Sequence, residues 1–222
     1  MRTILLPGLL TLLLISCKEK AAPVTETIFY FREPQPQDDS EIGHIPSKYI
    51  GDYRIGDHSI LHVEKNVIWS EFPQEEEVSR AVFDSLKKQS VYRNGVWILK
   101  DTGLEIRVTP RDTTFLFNYK YADTSFTLGS DTKVKRIHGS LVMSVKDSIF
   151  WNVQLLQKSH DTLYLKGFYN KSDYSMAKQI IKDVKANTDT TRVTLNPTRK
   201  EFISILRNSK QLDGQAFKRI KS

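Results

Sequence analysis

Alternation of apolar and polar residues between Lys133 and Tyr169 constrains the fold of this chain more than any other feature. The apolar residues recur at every second position, and short polar segments at 146–147 and 158–161 separate the runs. A two-residue period interrupted by such turns is typical of consecutive antiparallel β-strands. The residues expected to share a strand face are Leu141, Met143 and Val145, then Ile149, Trp151, Val153 and Leu155, then Leu163 and Leu165. This stretch therefore predicts a β-meander.

The same pattern continues toward the N-terminus and predicts a mainly β protein of the α+β class. Asn94-Gly95 lies between apolar flanks and predicts a hairpin turn, because both residues tolerate positive φ. Helical periodicity replaces alternation at residues 73–90, after Ser172-Asp173, and after Thr198, which is spaced with Glu201 as a capping box. We expect an antiparallel meander that forms an up-and-down barrel or a curved sheet, with two or three short helices, two of them C-terminal.

The N-terminus has the features of an export signal. Arg2 supplies a positive charge, and a mainly apolar run from Ile4 to Ile15 follows it. This run is shorter than the roughly 20 apolar residues that a membrane-spanning helix needs. Leu14-Ile15-Ser16-Cys17 resembles the lipobox of bacterial lipoproteins. The resemblance implies cleavage after Ser16, diacylglycerol on the Cys17 sulfur, and N-acylation of the new terminus with palmitate-type chains.

An acylated Cys17 implies that a membrane is one partner of the protein, because two or three acyl chains anchor a protein lastingly. The alternative is an ordinary secretory signal in which Cys17 merely lies near the cleavage site. Position 18 is lysine rather than the aspartate that retains lipoproteins in the inner membrane of enteric bacteria. We therefore expect a lipid-anchored protein of the cell envelope, at the outer membrane, on its periplasmic face or at the cell surface.

Composition divides the chain into three parts. Prolines and polar residues dominate the segment from Lys18 to about Pro46, which therefore has little to bury, except at the apolar Ile28–Phe31. The predicted parts are a lipoprotein signal peptide at 1–16, a lipidated tether at 17–45 with one edge strand, and a single β-rich domain at 46–222, in which a meander (46–170) precedes a helical and β appendage (171–222). A domain of that length is large enough to bury a substantial core.

Charge and cysteine content exclude several classes of function. The formal net charge of the 222-residue chain is +7, but the cations are scattered along the sequence. No basic stripe alternates with stacking aromatic residues, so we expect no nucleic-acid partner. Cys17 is the only cysteine, so no intrachain disulfide, CxxC redox motif or cysteine-based zinc site can form. We expect no cofactor.

Candidate metal-binding and catalytic residues are few. His58 and His62 could share a strand face, but four residues at about 3.3 Å each place them roughly 13 Å apart, too far to bind one ion directly. No metal site is therefore predicted. The sequence contains no nucleophile elbow, zinc-protease motif, phosphate-binding loop or dinucleotide fingerprint. No catalytic residue is assigned, which leaves a hydrolase only as a site assembled from distant strands.

Aromatic side chains offer a candidate ligand site. Such residues can fill the core of a β-protein, or they can line a cavity for an apolar ligand inside a small barrel. The candidate lining residues are Trp69, Trp97, Phe115, Phe117, Tyr119 and Trp151.

The layout of the chain is similar to that of small envelope lipoproteins of the Bacteroidota. The shared features are a tether, Ile45-Pro46, Tyr49-x-Gly51-x-Tyr53, a meander, and a closing helix at Asn196-Pro197-Thr198. The likeness implies an envelope location and transfers no activity. The leading hypothesis is a lipid-anchored, non-catalytic protein that binds an apolar small molecule or an envelope protein. The alternatives are a structural or accessory lipoprotein of an envelope complex and, less favoured, the hydrolase.

Overall fold

Fifteen strands and three helices make up the part of the chain that the computed structural model describes, residues 27–169, 171–188, 191–208 and 212–220. The strands are β1 Ile28–Phe31, β2 Gly51–Ile55, β3 Ser59–Val63, β4 Val67–Ser79, β5 Ser90–Arg93, β6 Val96–Leu99, β7 Glu105–Pro110, β8 Thr114–Thr127, β9 Thr132–Ile137, β10 Ser140–Asp147, β11 Phe150–Ser159, β12 Thr162–Lys166, β13 Val184–Ala186, β14 Arg192–Leu195 and β15 Gly214–Arg219. The helices are α1 Arg80–Gln89, α2 Lys171–Ile180 and α3 Arg199–Arg207. The predicted mainly β class with few helices is confirmed.

The strands form one large mixed sheet. Its order is β13-β14-β1-β11-β12-β15-β2-β3-β4-β8-β7-β6-β5, with β10 beside β11 and β9 beside β10. The β1–β14 pair is parallel, and the other pairs of named strands are antiparallel. The meander predicted over 133–169 corresponds to β9 through β12, paired in chain order.

Of the two predicted forms, a barrel or a curved sheet, the barrel does not form, because the sheet is not closed. Closure would require β9 to pair with β8, but the segment before β2 occupies the free edge of β9 instead. Glu41 forms an isolated bridge to Lys135, and the Ile42 amide donates to the Val134 carbonyl at 2.8 Å. Backbone groups at a strand edge need partners, and this segment supplies them.

Three hydrophobic cores hold the sheet together. The helical core packs β1, β14, α2 and α3 on one face of β10 and β11; its residues include Phe29, Phe31, Val142, Val153, Leu155, Phe168, Ala177, Val193, Leu195, Phe202 and Ile205. The sheet core lies on the opposite face; its residues include Tyr49, Tyr53, Leu61, Ile68, Phe126, Leu141, Met143, Leu156, Leu163 and Phe217. The arm core comprises Val78, Leu86, Ile106, Phe115 and Phe117, where β4 and β8 extend past β3. Strand β10 is buried on both faces because it separates the first two cores.

The prediction of a helix from residue 73 is wrong over residues 73–79, which continue β4. Val78 is opposite Phe115 and contributes to the arm core, so pairing with β8 outweighs the helical periodicity of this segment. Strand β3 pairs with β4 only as far as Glu71, so Pro73 lies where β4 has a free edge and its missing N–H is tolerated. The helix begins at Arg80.

Turn positions agree with the sequence except at one hairpin. Asn94 and Gly95 have φ of 51° and 83° and connect β5 to β6, as predicted. The β10–β11 turn was expected at Lys146-Asp147 but lies at Ser148-Ile149, because Asp147 still pairs with Phe150. Ile149 therefore does not share a strand face with Trp151, and its side chain is 75% exposed.

Residues 27–45, which the sequence placed in a tether with an edge strand, pack against the sheet. Strand β1 lies between β11 and β14 rather than at an edge. Gln35 and Ile45 are fully buried, and the Lys135 ammonium donates to the Pro36 carbonyl at 2.7 Å. Backbone carbonyls of this segment thus accept from the sheet that it covers, whereas the Thr27 hydroxyl and the Gln35 side-chain oxygen are buried without a hydrogen-bond partner among the described residues.

Helix α3 begins with the predicted capping box. The Glu201 amide donates to the Thr198 hydroxyl, while the Glu201 carboxylate accepts from the Thr198 amide at 2.8 Å. Burial would raise the pKa of Glu201, but hydrogen bonds from Thr198 and from the Lys182 amide outweigh it and lower the pKa below its usual value.

Replacing Thr198 by alanine is expected to lower the free energy of unfolding at pH 7 by about 1 kcal/mol, because the first turn of α3 loses its cap. A lowered folded-state pKa means that the Glu201 contribution is present above the unfolded pKa, about 4.3, and is lost as pH falls through the folded value. The loss on Thr198→Ala should therefore shrink between pH 5 and pH 3. Urea unfolding at pH 5 and at pH 3 measures this loss in the free energy of unfolding. The control is Ser204→Ala, which removes a hydroxyl later in the same helix. An equal loss for the two variants would contradict the capping role.

Within the described residues, no helix is both long and apolar enough to span a bilayer.

Candidate functional site

The predicted lining aromatics separate into three groups in the structure. Trp97, Phe115, Phe117 and Tyr119 come together in and around the arm core. Phe83 of α1 fills the space between them, with its ring centroid 4.3 Å from Phe115 and 5.7 Å from Trp97. Phe115 and Phe117 are buried, so these residues form packing contacts of the core rather than the wall of a cavity.

Trp69 and Trp151 lie far from that group in the fold. Trp69, on β4, stacks on His62 with ring centroids 3.9 Å apart, and its indole N–H donates to Glu64 at 2.8 Å. Trp151, on β11, packs against the helical core. The structure therefore does not bring the six aromatic residues to one cavity. Ser16 and Cys17 lie outside the described residues.

Three of the histidines contact neighbouring side chains or lie in turns. His62 is within 2.8 Å of the Asp52 carboxylate through Nδ1, and the Trp69 ring covers its face. His138 and His160 occupy turns with φ of 45° and 52°. In the described ranges, no three histidine, cysteine or carboxylate side chains are grouped as metal ligands would be.

A fork in the sheet at β11 leaves a cavity that is a candidate ligand site. Trp151 and Leu155 both pair with β10 on one edge of β11; on the other edge Trp151 meets Phe31 of β1 and Leu155 meets Lys166 of β12. Two different strands thus share that edge and leave residues 152–154 between them. The Phe168 ring of the segment after β12 packs against β1, 5.5 Å from Phe29 and 5.4 Å from Phe31, and a space beside these rings is open.

We call this space the fork cleft. It has a volume of about 540 Å³, within the usual range for small-molecule sites. Its lining residues are Thr27, Ile28, Phe29, Ser125, Val145, Asn152, Val153, Gln154, Phe168 and Tyr169. The rings of Phe29 and Phe168, with centroids 5.5 Å apart, connect it to the helical core.

Polar groups in the fork cleft are neutral. The Thr27 hydroxyl is buried and has no hydrogen-bond partner among the described residues. The Gln154 amide donates to the Tyr169 hydroxyl at 3.4 Å, a long and therefore weak bond. The Thr27 hydroxyl is closed off from solvent, so the group that a ligand can reach is the 44% exposed Tyr169.

Tyr169 is fixed at the mouth of the fork cleft. Its amide donates to the buried Asp173 carboxylate at 2.7 Å, at the start of α2. A Cβ atom at position 167 would lie 2.6 Å from the Tyr169 ring, so Gly167 lets the ring fold back over the chain. Burial raises the pKa of the Tyr169 phenol, a hydrogen bond from Gln154 lowers it, and the Asp173 charge raises it; the net direction is upward. The phenol therefore stays protonated at neutral pH and can donate to a ligand.

The chemistry of the fork cleft is that of binding. No residue that lines it carries a charge, and the Ser125 hydroxyl is directed to the Ile68 carbonyl at 3.2 Å. General acid–base catalysis needs a titratable group with a pKa near the working pH, and nucleophilic catalysis needs a base beside the nucleophile. The described lining residues provide neither. They provide an apolar wall with several neutral hydrogen-bonding groups.

A second groove contains lysines but is engaged in structural contacts. It has a volume of about 600 Å³, and Lys48, Lys158 and Lys166 line it. The Lys48 ammonium donates to the Gly139 carbonyl at 3.0 Å, and the Lys158 ammonium donates to the Lys48 carbonyl at 2.6 Å. Burial lowers the pKa of Lys158, with the charge of Arg219 acting in the same direction. These bonds join the 46–50 segment to the β9–β10 turn and to β11.

Sequence reasoning missed the fork cleft because its walls are far apart in the chain. Strands β1 to β12 lie between Thr27 and Tyr169 along the sequence, and neither residue belongs to a motif. The one usable signal was the apolar Ile28–Phe31 within a polar segment, which indicated docking but not where.

Comparison with protein-family models, with curated proteins and with solved structures found no match to this chain.

Proposed function

We propose that this chain is a lipid-anchored protein of the cell envelope that binds a neutral, largely apolar small molecule in the fork cleft and does not transform it. The single observation that carries the proposal is the cleft itself: a largely apolar cavity of about 540 Å³ whose described lining residues include neutral hydrogen-bonding groups and no charged side chain. An apolar cavity with a few placed polar groups is the usual form of a small-molecule site.

The anchor part of the proposal is supported by the sequence at Leu14-Ile15-Ser16-Cys17, as argued above. The ligand part is supported by the chemistry of the cleft. Phe29, Val153 and Phe168 favour an apolar body, while Gln154 and Tyr169 favour a ligand that also carries a hydrogen-bonding group. An ionic group would be left without a countercharge, so the expected ligand is an uncharged amphiphile.

Filling the fork cleft should abolish ligand retention. We expect Gln154→Trp to reduce the amount of co-purifying ligand by about tenfold or more, because the indole occupies the mouth and the bond to Tyr169 is lost. Full-length protein is isolated from membranes, and organic extracts are quantified by mass spectrometry per mole of protein. Gln215→Trp, the same change at an exposed position of β15, is the matched control.

Two results would contradict the ligand proposal. One is the same extract from the two variants and the unchanged protein, which would show that the lipid came from the surrounding membrane. The other is a protein partner at one copy per chain with no retained small molecule, which would favour an accessory lipoprotein of an envelope complex. Retention by the unchanged protein and by Gln215→Trp, with loss in Gln154→Trp, supports a specific site.

A further inference from the structure

Large apolar side chains are exposed beside the mouth of the fork cleft. Ile149 is 75% exposed, Ile28 is 46% exposed and Tyr169 is 44% exposed. Tyr30 and Phe150 continue this surface, with ring centroids 5.6 Å apart. We call these five residues the apolar rim. Ile28 and Tyr169 also line the cleft, so the apolar rim and the cleft mouth are one continuous surface.

Local structure forces these residues outward. Phe29 and Phe31 are the core-facing residues of β1, so alternation directs Ile28 and Tyr30 away from the core. Ile149 lies in the two-residue turn between β10 and β11, where Ser148 has a φ of 59°. A hairpin tip commonly carries polar residues, and an isoleucine there has no packing role in the isolated domain. Exposed apolar clusters of this kind mark interaction surfaces.

The position of the N-terminal segment identifies what covers the apolar rim. Thr27 lines the fork cleft, and nine residues lie between it and Cys17, so the two are ten Cα–Cα steps apart. A chain of that length reaches at most about 36 Å when fully extended. A domain of this size is about 40 Å across, from the usual scaling of the radius of gyration with length. An anchor at Cys17 would therefore keep Thr27 and the cleft within about 36 Å of the bilayer surface, and it leaves the far side of the domain less able to reach it.

Charges near the apolar rim suit the boundary between lipid and water. Arg192 is exposed and pairs with Ile28 across β1 and β14, and Lys146 is exposed and pairs with Trp151 across β10 and β11. Asp147 is the acidic residue of the same turn. Tyrosines and basic side chains around an apolar patch are typical of segments that lie at the headgroup level of a membrane.

We propose that the apolar rim lies against the bilayer that holds the Cys17 anchor, so that the fork cleft opens to the membrane and takes a lipid-borne amphiphile. This inference rests on the proposed acyl anchor and extends it with an orientation and a source of ligand. If the domain stayed in water at the end of its tether, the exposed isoleucines beside the cleft would remain in contact with solvent, which is unfavourable. A membrane-facing rim buries them and lets the ligand pass between lipid and cleft without crossing water.

A single engineered thiol tests the orientation. Acylation consumes the thiol of Cys17, the only cysteine of the chain, so Ile149→Cys in the full-length protein can be labelled at one site. The labelled protein is isolated from membranes and reconstituted in phosphatidylcholine vesicles. We expect an environment-sensitive dye at 149 to be quenched by spin-labelled lipid and shielded several-fold from an aqueous quencher. Tyr92→Cys, at a 59% exposed position in the arm, is the matched control and should show the opposite pattern.

The outcomes separate the orientation from the anchor. Protein that fails to sediment with vesicles overturns the proposed function itself. Protein that sediments, but whose labels at 149 and 92 are equally open to the aqueous quencher, overturns the orientation alone. Disulfide-linked dimers of Ile149→Cys, with shielding that depends on protein concentration rather than on lipid, would show that a second copy covers the rim, and this too overturns it. Ile149 is mostly exposed, so neither its replacement nor the label should disturb folding.

Discussion

Replacing Phe31 by alanine should lower the free energy of unfolding by about 3–5 kcal/mol. The Phe31 side chain is fully buried, and its ring lies 5.4 Å from Phe168 and 6.3 Å from Phe202. It joins β1 to the segment after β12 and to α3, so its removal leaves a cavity that three separate elements border. A loss of that size is a large fraction of the stability of an ordinary domain, 5–15 kcal/mol.

Urea unfolding followed by tryptophan fluorescence measures this effect, because Trp151 packs against the helical core that Phe31 helps to form. Ile28→Ala, on the opposite face of the same strand, is the control and should cost less than about 1 kcal/mol, since its side chain is already half in solvent. If Phe31→Ala and Ile28→Ala both lowered the free energy of unfolding by less than about 1 kcal/mol, β1 would not be part of the folded domain. The N-terminal segment would then be a tether beyond residue 27, as its composition suggested.

The meander could be predicted because its signal is local. In β10 and β11 the alternating residues face the sheet core and the helical core on opposite sides, so Leu141, Met143, Val153 and Leu155 follow directly from a two-residue period. The Asn94-Gly95 turn and the Thr198–Glu201 capping box are equally local, since each depends on neighbouring residues alone. Features of this kind do not depend on contacts between distant segments, so the sequence alone predicts them.

The errors occurred where distant segments decide the structure. Residues 73–79 form a strand because β8 pairs with them, and nothing within the segment specifies that partner. The sheet remains open because residues 41 and 42 take the edge of β9 that a barrel would need. That segment was assigned to a tether on composition, although its few apolar residues, Ile42 and Ile45, pack in the sheet core.

The fork cleft has the same origin. Thr27, Gln154 and Tyr169 meet because β1 and β12 share one edge of β11, which is a property of the whole sheet. Phe115 and Phe117, two of the predicted lining residues, alternate along β8 and both face the arm core. Their interpretation as a cavity lining depended on a closed barrel, and an open sheet lets α1 cover the same residues instead.

The change with the largest expected effect is at the anchor. In cells grown with labelled palmitate, the unchanged chain should incorporate the label, and Cys17→Ser should reduce incorporation to background, because the thioether that carries diacylglycerol cannot form without the cysteine sulfur. Ser16→Ala keeps a small residue before the cysteine and is the matched control; its labelling should equal that of the unchanged chain. Equal labelling of Cys17→Ser and the unchanged chain would overturn the anchor.

Release from the membrane is a weaker test of the same anchor, because a second apolar segment can hold the Cys17→Ser protein at the membrane. One acyl chain binds a bilayer only marginally, with an association constant of about 10⁴ M⁻¹, so lasting attachment depends on two or three chains acting together. Cys17→Ser removes them but also blocks cleavage after Ser16, so the apolar run from Ile4 to Ile15 stays on the protein and can hold it at the membrane. Release should therefore become complete only when the segment through Ser16 is exchanged for a cleavable secretory signal in the Cys17→Ser background. If that protein still sediments with membranes, the apolar rim, and not the acyl chains, supplies the attachment.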